Sequence, residues 1–250
     1  MNNIQIIILA AGKSTRMKSD TPKALITLKD KPFINHILDT VKSLDSKIKP
    51  IIVVGHKKED IKKALGKEHI YAEQAEQLGT GHAVMSAKNF VNASCDTVLV
   101  IYADQPMTSK ETLKRIIEKY TEKKPAITLA TVTVPDFEDW RKKMYTDYGR
   151  IIRGADGSVT KIVEFKDANE EEKKVKELNP ALYAFDTEWL WKNIDKIKNE
   201  NAKKEFYLTD MVKMACEQKM KIETVPVENI IEAIQPNSPE ELEVLEKISV

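Results

Sequence analysis

Cysteine is nearly missing from this 250-residue chain: Cys95 and Cys216 are the only two, and they have no metal-ligand spacing. The pair reads as free thiols in a reducing compartment, a disulfide between them being the other reading. An excess of either charge is missing too. Forty Lys and Arg stand against 39 Asp and Glu, a net charge of +1, which gives no reason to expect bulk nucleic-acid or membrane-surface binding. Charged residues make up 32% of the chain, so the surface is well solvated and any basic patch must be local. No apolar run is long enough to span a bilayer. The start, Met1-Asn2-Asn3-Ile4, lacks the basic region and cleavage site of a signal peptide. A soluble cytoplasmic protein is expected. No internal repeat, low-complexity segment or clear interdomain linker is visible, so the length reads as one domain with a substantial core.

What is present begins with Ile4-Gln5-Ile6-Ile7-Ile8-Leu9-Ala10-Ala11-Gly12-Lys13-Ser14-Thr15-Arg16-Met17. An unbroken apolar run of this kind predicts a strand buried on both faces. Small residues at its exit let backbone amides approach a ligand, and Gly12 can take a positive φ. Lys13, Arg16 and Lys23 add positive charge, which suits phosphate. An ordinary turn with solvated basic residues is the alternative. A Walker A loop would need its first glycine at position 7, which is Ile7, and a dinucleotide fingerprint would need Gly-x-Gly where Gly12 is followed by Lys13-Ser14. Both are excluded.

Along the chain, a helix is predicted over 33–44, a buried strand over 51–54 and a short helix over 59–65. Strand–helix alternation of this kind argues for a mainly parallel sheet covered on both faces. Glu73 to Ala83 is rich in amides and glycine and leads into a small-residue helix over 83–87. Gln74 could pair with a base edge, with Gly79 and Gly81 letting the backbone reach a ring; a polar turn is the alternative. His82 alone reads as a structural residue. The run 96–101 predicts the strongest internal strand, ending in Tyr102-Ala103-Asp104-Gln105-Pro106. A carboxylate at the carboxyl end of such a strand lies where α/β sheets place ligands, so Asp104 is the candidate Mg²⁺ ligand. The competing role, a helix cap, is weakened because Thr108 to Glu111 supplies a capping box of its own. A strand is predicted over 126–134, then a hairpin over 149–164 turning at Asp156-Gly157. The charged run 166–176 reads as a solvated helix or mobile lid. Further strands are expected over 178–185 and 221–227, with helices after Thr187 and around Met211. Ser238-Pro239-Glu240-Glu241 caps a last helix over 238–250.

The opening stretch, continued through Thr21-Pro22-Lys23-Ala24-Leu25, resembles the signature of sugar-phosphate nucleotidylyltransferases. The likeness extends along nearly the whole chain and is most marked toward the GlmU-type N-acetylglucosamine-1-phosphate uridylyltransferase (pyrophosphorylase) domain. It is carried by Gln74 to Ala83, Tyr148-Gly149-Arg150-Ile151, Val163-Glu164 with Lys166-Asp167-Ala168, and Phe206 to Asp210, in joint order and spacing. The resemblance implies a Rossmann-like three-layer α/β/α fold of the GT-A type, with a mostly parallel sheet and a smaller hairpin-containing sugar-binding lobe. The single domain would divide into a nucleotide-binding lobe (1–134), a sugar-binding lobe with returning strands (135–236) and the C-terminal helix. The implied reaction joins UTP to N-acetylglucosamine 1-phosphate and releases pyrophosphate. Its partners would be UTP and a sugar 1-phosphate, with no nucleic acid or membrane.

The implied roles run residue by residue. Leu9, Ala10, Ala11 and Gly12 would line the nucleotide. Arg16 and Lys23 would neutralise the triphosphate and, with Asp104, carry catalysis. Gln74, Gly79 and Thr80 would read uracil. Tyr102, Ala103, Gly149, Glu164 and Asn179 would hold the sugar, and Asp104 would hold Mg²⁺. The family usually has glycine at Ala103 and Thr-Gly at Pro180-Ala181. Its Gly-Val-Asn, whose asparagine completes the metal site, corresponds to Ala233-Ile234-Gln235. Gln235 is therefore the expected second ligand, with Asn237 the other candidate. No hexapeptide period of an acetyltransferase β-helix is visible, and since that half trimerises those proteins, a monomer or weak oligomer is expected. Asp104-Gln105-Pro106 also resembles molybdenum-cofactor cytidylyltransferases, which makes another acceptor or base the first alternative. A non-catalytic nucleotide-sugar sensor is the second.

Overall fold

The computed structural model describes residues 3–13, 15–17, 19–45 and 47–249. Ser14 and Lys18 of the basic loop lie outside them. The chain runs β1 (Ile4–Ala10), a small ribbon of β2 (Thr27–Leu28) and β3 (Lys31–Pro32), α1 (Phe33–Leu44), β4 (Ile51–Val54), α2 (Lys58–Leu65) and β5 (Ile70–Glu73). Next come α3 (Thr80–Ser86), β6 (Thr97–Tyr102), α4 (Lys110–Lys123), β7 (Ile127–Thr133) and α5 (Lys142–Asp147). The hairpin β8 (Gly149–Arg153) and β9 (Val159–Val163) leads to α6 (Glu170–Lys173), β10 (Glu177–Asn179), β11 (Tyr183–Asp186) and α7 (Thr187–Asn193). The chain then closes through α8 (Asp210–Glu217), β12 (Ile222–Pro226) and α9 (Pro239–Ile248).

The mostly parallel central sheet expected from the alternation is present. Its order is β5-β4-β1-β6-β11-β7-β10-β8-β9, with β12 also paired to β7. The first four strands are all parallel, and β12 runs parallel to β7. Antiparallel pairs gather on the far side, where β11 enters reversed between β6 and β7 and the hairpin joins through β10.

Side-chain alternation explains the layers. Along β1, Ile6, Ile8 and Ala10 face one core, packed with Ile34, Ile37 and Val41 of α1 and Leu113 and Ile116 of α4. Ile7, Leu9 and Ala11 face the other, packed with Ala83 and Val84 of α3 and Met211 and Val212 of α8. An apolar run without polar alternation is what a strand covered on both sides requires. Burying one such isoleucine contributes roughly 1.5–3 kcal/mol. A third, small cluster of Leu28, Phe33 and Leu245 ties α9 to the ribbon beside β1.

Four local expectations change. The run 178–185 is two strands, not one, because Pro180 cannot donate a ladder hydrogen bond and Ala181 adopts the left-handed conformation at φ 62. The cap of α4 is Ser109, whose hydroxyl accepts from Thr112 N–H, and not Thr108. Within 166–176 only the short α6 is helical, held by a capping box of Asn169 and Glu172. β5 has no counterpart in the sequence reading.

Arg150 is the largest fully buried side chain. Its guanidinium donates to the carbonyls of Tyr145, Tyr148 and Lys173, and lies 5.2–5.4 Å from the ring centroids of Phe137, Tyr145 and Phe165. Burial lowers its pKa. The arrangement fixes the turn from α5 into β8, and with it Asp147.

Candidate functional site

The exit of β1 and the tip of β6 meet because the strands pair to their last residues: Leu9 lies opposite Tyr102, and Ala103 N–H donates to the Leu9 carbonyl at 3.0 Å. A cleft of about 430 Å³ opens above them. Leu9, Ala10, Ala11, Gly12, Lys23, Gln74, Gly79 and Thr80 all line it, as do Tyr102, Ala103 and Asp104. Among the lining residues to which sequence reasoning gave no role are the small Ala24 and Ala83 and the polar Gln77 and Glu205. Gln77 belongs to the amide-rich stretch and carried a signal; Glu205 carried none. Gly12 does not take a positive φ. A Cβ there would meet nothing within 4 Å, so what it leaves is open space beside the cleft.

Lys23 stands on a single 3-10 turn, Lys23–Leu25. Its ammonium lies 2.5 Å from Asp104 Oδ2 and 2.6 Å from Asn237 Oδ1. Asn237 donates from Nδ2 to Asp147 Oδ2 at 3.3 Å and to the Gln235 carbonyl at 2.8 Å. Arg16 Nη1 meets Asp147 Oδ2 at 2.7 Å. The chain Arg16–Asp147–Asn237–Lys23–Asp104 therefore joins residues far apart in sequence. Arg16 is 58% exposed and does not line the cleft, and Asp147 was not foreseen. Asn237, not Gln235, is brought to Asp104. Gln235 turns its carbonyl toward Asn237 and borders a separate groove with Trp140 and Met144. The reason is the anchoring of α9 by Leu245, together with the bond from Asn237 N–H to Glu241 Oε2 at 2.9 Å. Ser238 caps α9 through Glu241 N–H, as its spacing predicts.

No group of three or more His, Cys, Asp or Glu that could hold a metal occurs among the described residues. A cation here would need substrate oxygens as well. The donors fit such a hard cation: Asp104 Oδ1 is buried without a hydrogen-bond partner, while Asp104 Oδ2 and Asn237 Oδ1 already converge on one positive group.

The amide-rich loop is braced from behind. Phe206 N–H donates to the Leu78 carbonyl at 2.7 Å, Gly81 N–H to the Phe206 carbonyl at 2.8 Å, and Leu208 N–H to Thr80 Oγ1 at 3.0 Å. Gly79 sits at φ 112, and a Cβ there would meet the Phe206 carbonyl oxygen at 2.7 Å. Only glycine suits that conformation and that approach. The two motifs thus form one unit, which accounts for their joint occurrence.

Gly149, Glu164 and Asn179 do not line the cleft but cluster beyond Tyr102. A Cβ on Gly149 would stand 3.4 Å from Glu164 Oε1, and Thr209 Oγ1 donates to the same oxygen at 3.3 Å. Burial raises the Glu164 pKa, opposed by Lys203 and the Thr209 bond. Burial raises the Tyr102 pKa, opposed by Thr80 and reinforced by the nearby Glu164 and Asp104 carboxylates. Asn179 donates to the Tyr183 hydroxyl at 2.7 Å and accepts from Ala181 N–H at 3.0 Å.

No helix among the described residues is long and apolar enough to cross a membrane. The model of the MobA-like NTP transferase domain matches residues 6–198. The bifunctional protein GlmU of Clostridioides difficile is 41% identical over 98% of this chain and 51% of its own length. GlmU of Bacillus velezensis is 44% identical over 83% of this chain and 44% of its own. The chain thus spans about half the length of the curated relatives it matches. The structure of UDP-glucose pyrophosphorylase complexed with UDP-glucose superposes with a TM-score of 0.77 at 17% identity, covering 100% of this chain and 98% of that one. At that identity the likeness is one of fold.

Proposed function

The chain belongs to the MobA-like NTP transferase family, and from that premise we propose that it joins UTP to N-acetylglucosamine 1-phosphate, releasing pyrophosphate, with Mg²⁺. The observation that carries this reading is the convergence of Lys23, Asp104 and Asn237 on one point of the cleft whose other end is lined by Gln74, Gly79 and Thr80. Charge for phosphate and amides for a base thus share one groove.

In the proposed reaction a phosphate oxygen of the sugar phosphate attacks the α-phosphorus of UTP in line, forming one P–O bond as the bond to pyrophosphate breaks. The attacking oxygen is already anionic, so no side chain need remove a proton. Catalysis then consists of positioning and of neutralising charge. Lys23 would move its ammonium from Asp104 to the triphosphate, and the amides around Ala11 and Gly12 would approach the same phosphates. Bound Mg²⁺, held by Asp104 and Asn237 together with substrate oxygens, would supply further positive charge to the phosphates. Arg16 would approach from the rim once released from Asp147. Glu164, beyond Tyr102, would accept from sugar hydroxyl or amide groups.

One observation favours a different acceptor, another sugar 1-phosphate: Asn179 uses both ends of its amide inside the protein. Pyrophosphate release measured with UTP and a panel of hexose and hexosamine 1-phosphates tests both readings. Turnover highest with N-acetylglucosamine 1-phosphate is the expected result. No release with any acceptor would overturn the proposal.

A further inference from the structure

We propose that His82 is a positioning residue that sets which end of the Gln74 amide faces the nucleobase, and so which base the cleft accepts. The inference rests on the reading of this cleft as a nucleotide site and goes beyond it, to the origin of base choice.

Gln74 is buried at the floor of the cleft. Its Nε2 lies 3.0 Å from the Gly79 carbonyl oxygen and 3.1 Å from His82 Nδ1. A carbonyl oxygen can only accept, so the atom facing it must be the NH₂ group. The second N–H of that group points at His82, whose Nδ1 must therefore accept. The imidazole is then neutral and carries its proton on Nε2. Both amide hydrogens are spent within the protein, and the atom left for the cleft is Oε1. The ring is held in place by Phe206, whose centroid is 6.5 Å away at a tilt of 36°, and Phe206 is itself pinned by the Leu78 and Gly81 backbone bonds.

An acceptor presented in this way suits a base edge that carries an N–H, as the N3 edge of uracil does. It opposes the N3 lone pair of cytosine. A site built to hydrogen-bond a particular donor discriminates strongly against a ligand lacking it, because the buried group is left unpaired. Turning the amide over would place Oε1 against both the Gly79 carbonyl and His82 Nδ1. With His82 removed, only the Gly79 contact opposes that rotation, and the selectivity should weaken.

The test compares kcat/KM for UTP and CTP in the wild type, His82→Ala and His82→Asn, by pyrophosphate release. The wild type should prefer UTP. In His82→Ala the UTP-to-CTP ratio should fall about tenfold, the change expected from one lost hydrogen bond, and should appear mainly in KM. Asn Oδ1 stands where Nδ1 stood, so His82→Asn should restore the ratio. A merely structural histidine would lower turnover of both nucleotides together and leave the ratio unmoved. A wild type that binds neither nucleotide overturns the site reading and the inference with it. A UTP preference unchanged in His82→Ala overturns the role of His82 alone. Should His82→Ala fail to fold, ¹⁵N-histidine NMR of the wild type decides: a His82 protonated at Nδ1 refutes the arrangement, and one protonated at Nε2 supports it.

Discussion

Replacing Asp104 by asparagine separates what this carboxylate does for folding from what it does for chemistry. Its ion pair with Lys23 is neither open nor sealed, the side chains being 21% and 15% exposed. Exposed pairs contribute about 0–1 kcal/mol and breaking fully buried ones costs about 3–5 kcal/mol, so losing this one should cost roughly 1–2 kcal/mol. Part of that is offset. Asp104 Oδ1 is a buried carboxylate oxygen without a partner, and a neutral amide sheds the penalty of keeping such a group from water, about 1–3 kcal/mol. Lys23 also keeps Asn237 Oδ1. The net change should be about 1 kcal/mol or less, a fall in Tm of no more than about 2–4 °C for a chain of this size. Turnover should behave quite differently. Removing a group that stabilises transition-state charge typically lowers kcat by on the order of 10²–10³. A pyrophosphate-release assay beside a thermal melt reads both. An Asp104→Asn enzyme within tenfold of wild-type kcat, or one whose activity loss merely follows its unfolding, would refute the reasoning.

Three further outcomes follow from the same geometry. Ala181 pays the left-handed penalty, roughly 1–2 kcal/mol, at φ 62; Ala181→Gly recovers it less about 0.4–1 kcal/mol for the freer unfolded chain, so Tm should rise, and a fall would contradict the strain. Arg150→Lys keeps the charge but loses the planar fork that reaches three carbonyls, and should cost about 2–4 kcal/mol in a urea titration; a negligible loss would mean the aromatic cage alone does the work. The folded-state pKa of Glu164 is raised by burial, so the stability linked to its protonation is full below the unfolded carboxyl value and is lost as pH rises through the folded one. Glu164→Gln should therefore be more stable than wild type at neutral pH and lack that slope, while its KM for the sugar phosphate rises. Parallel pH profiles would remove Glu164 from the account.

Particular elements explain how far the sequence could be read. β1, β4 and β6 were legible because a strand covered on both faces leaves no polar alternation, and α1 because its apolar spacing holds from Phe33 to Leu44. The cleft floor was legible for the same reason, since Ala10, Ala11 and Asp104 sit where those runs stop. The 178–185 break was not, because its polarity pattern continues across Pro180, and β10 and β11 run the same way along β7 with only a register shift at the left-handed Ala181. Asp147 escaped for a different reason, and Asn237 was visible only as the second candidate behind Gln235. Asp147 meets Asn237, and Asn237 meets Lys23, only through tertiary anchors, Arg150 under α5 and Leu245 under α9, and nothing local in either segment records those contacts. The bracing of Gly79 and Gly81 by Phe206 likewise crosses more than a hundred residues; their joint presence was visible, and its cause was not.

The central claim is that the opening loop, Lys23 and Asp104 embrace a single triphosphate whose base lies on Gln74. A crystal structure of the wild-type protein soaked with UTP tests it most directly. The account predicts phosphate oxygens between the amides around Gly12 and the Lys23 ammonium, and uracil N3 facing Gln74 Oε1. A nucleotide seated elsewhere, for instance in the groove beside Trp140, with Lys23 still on Asp104, would contradict it.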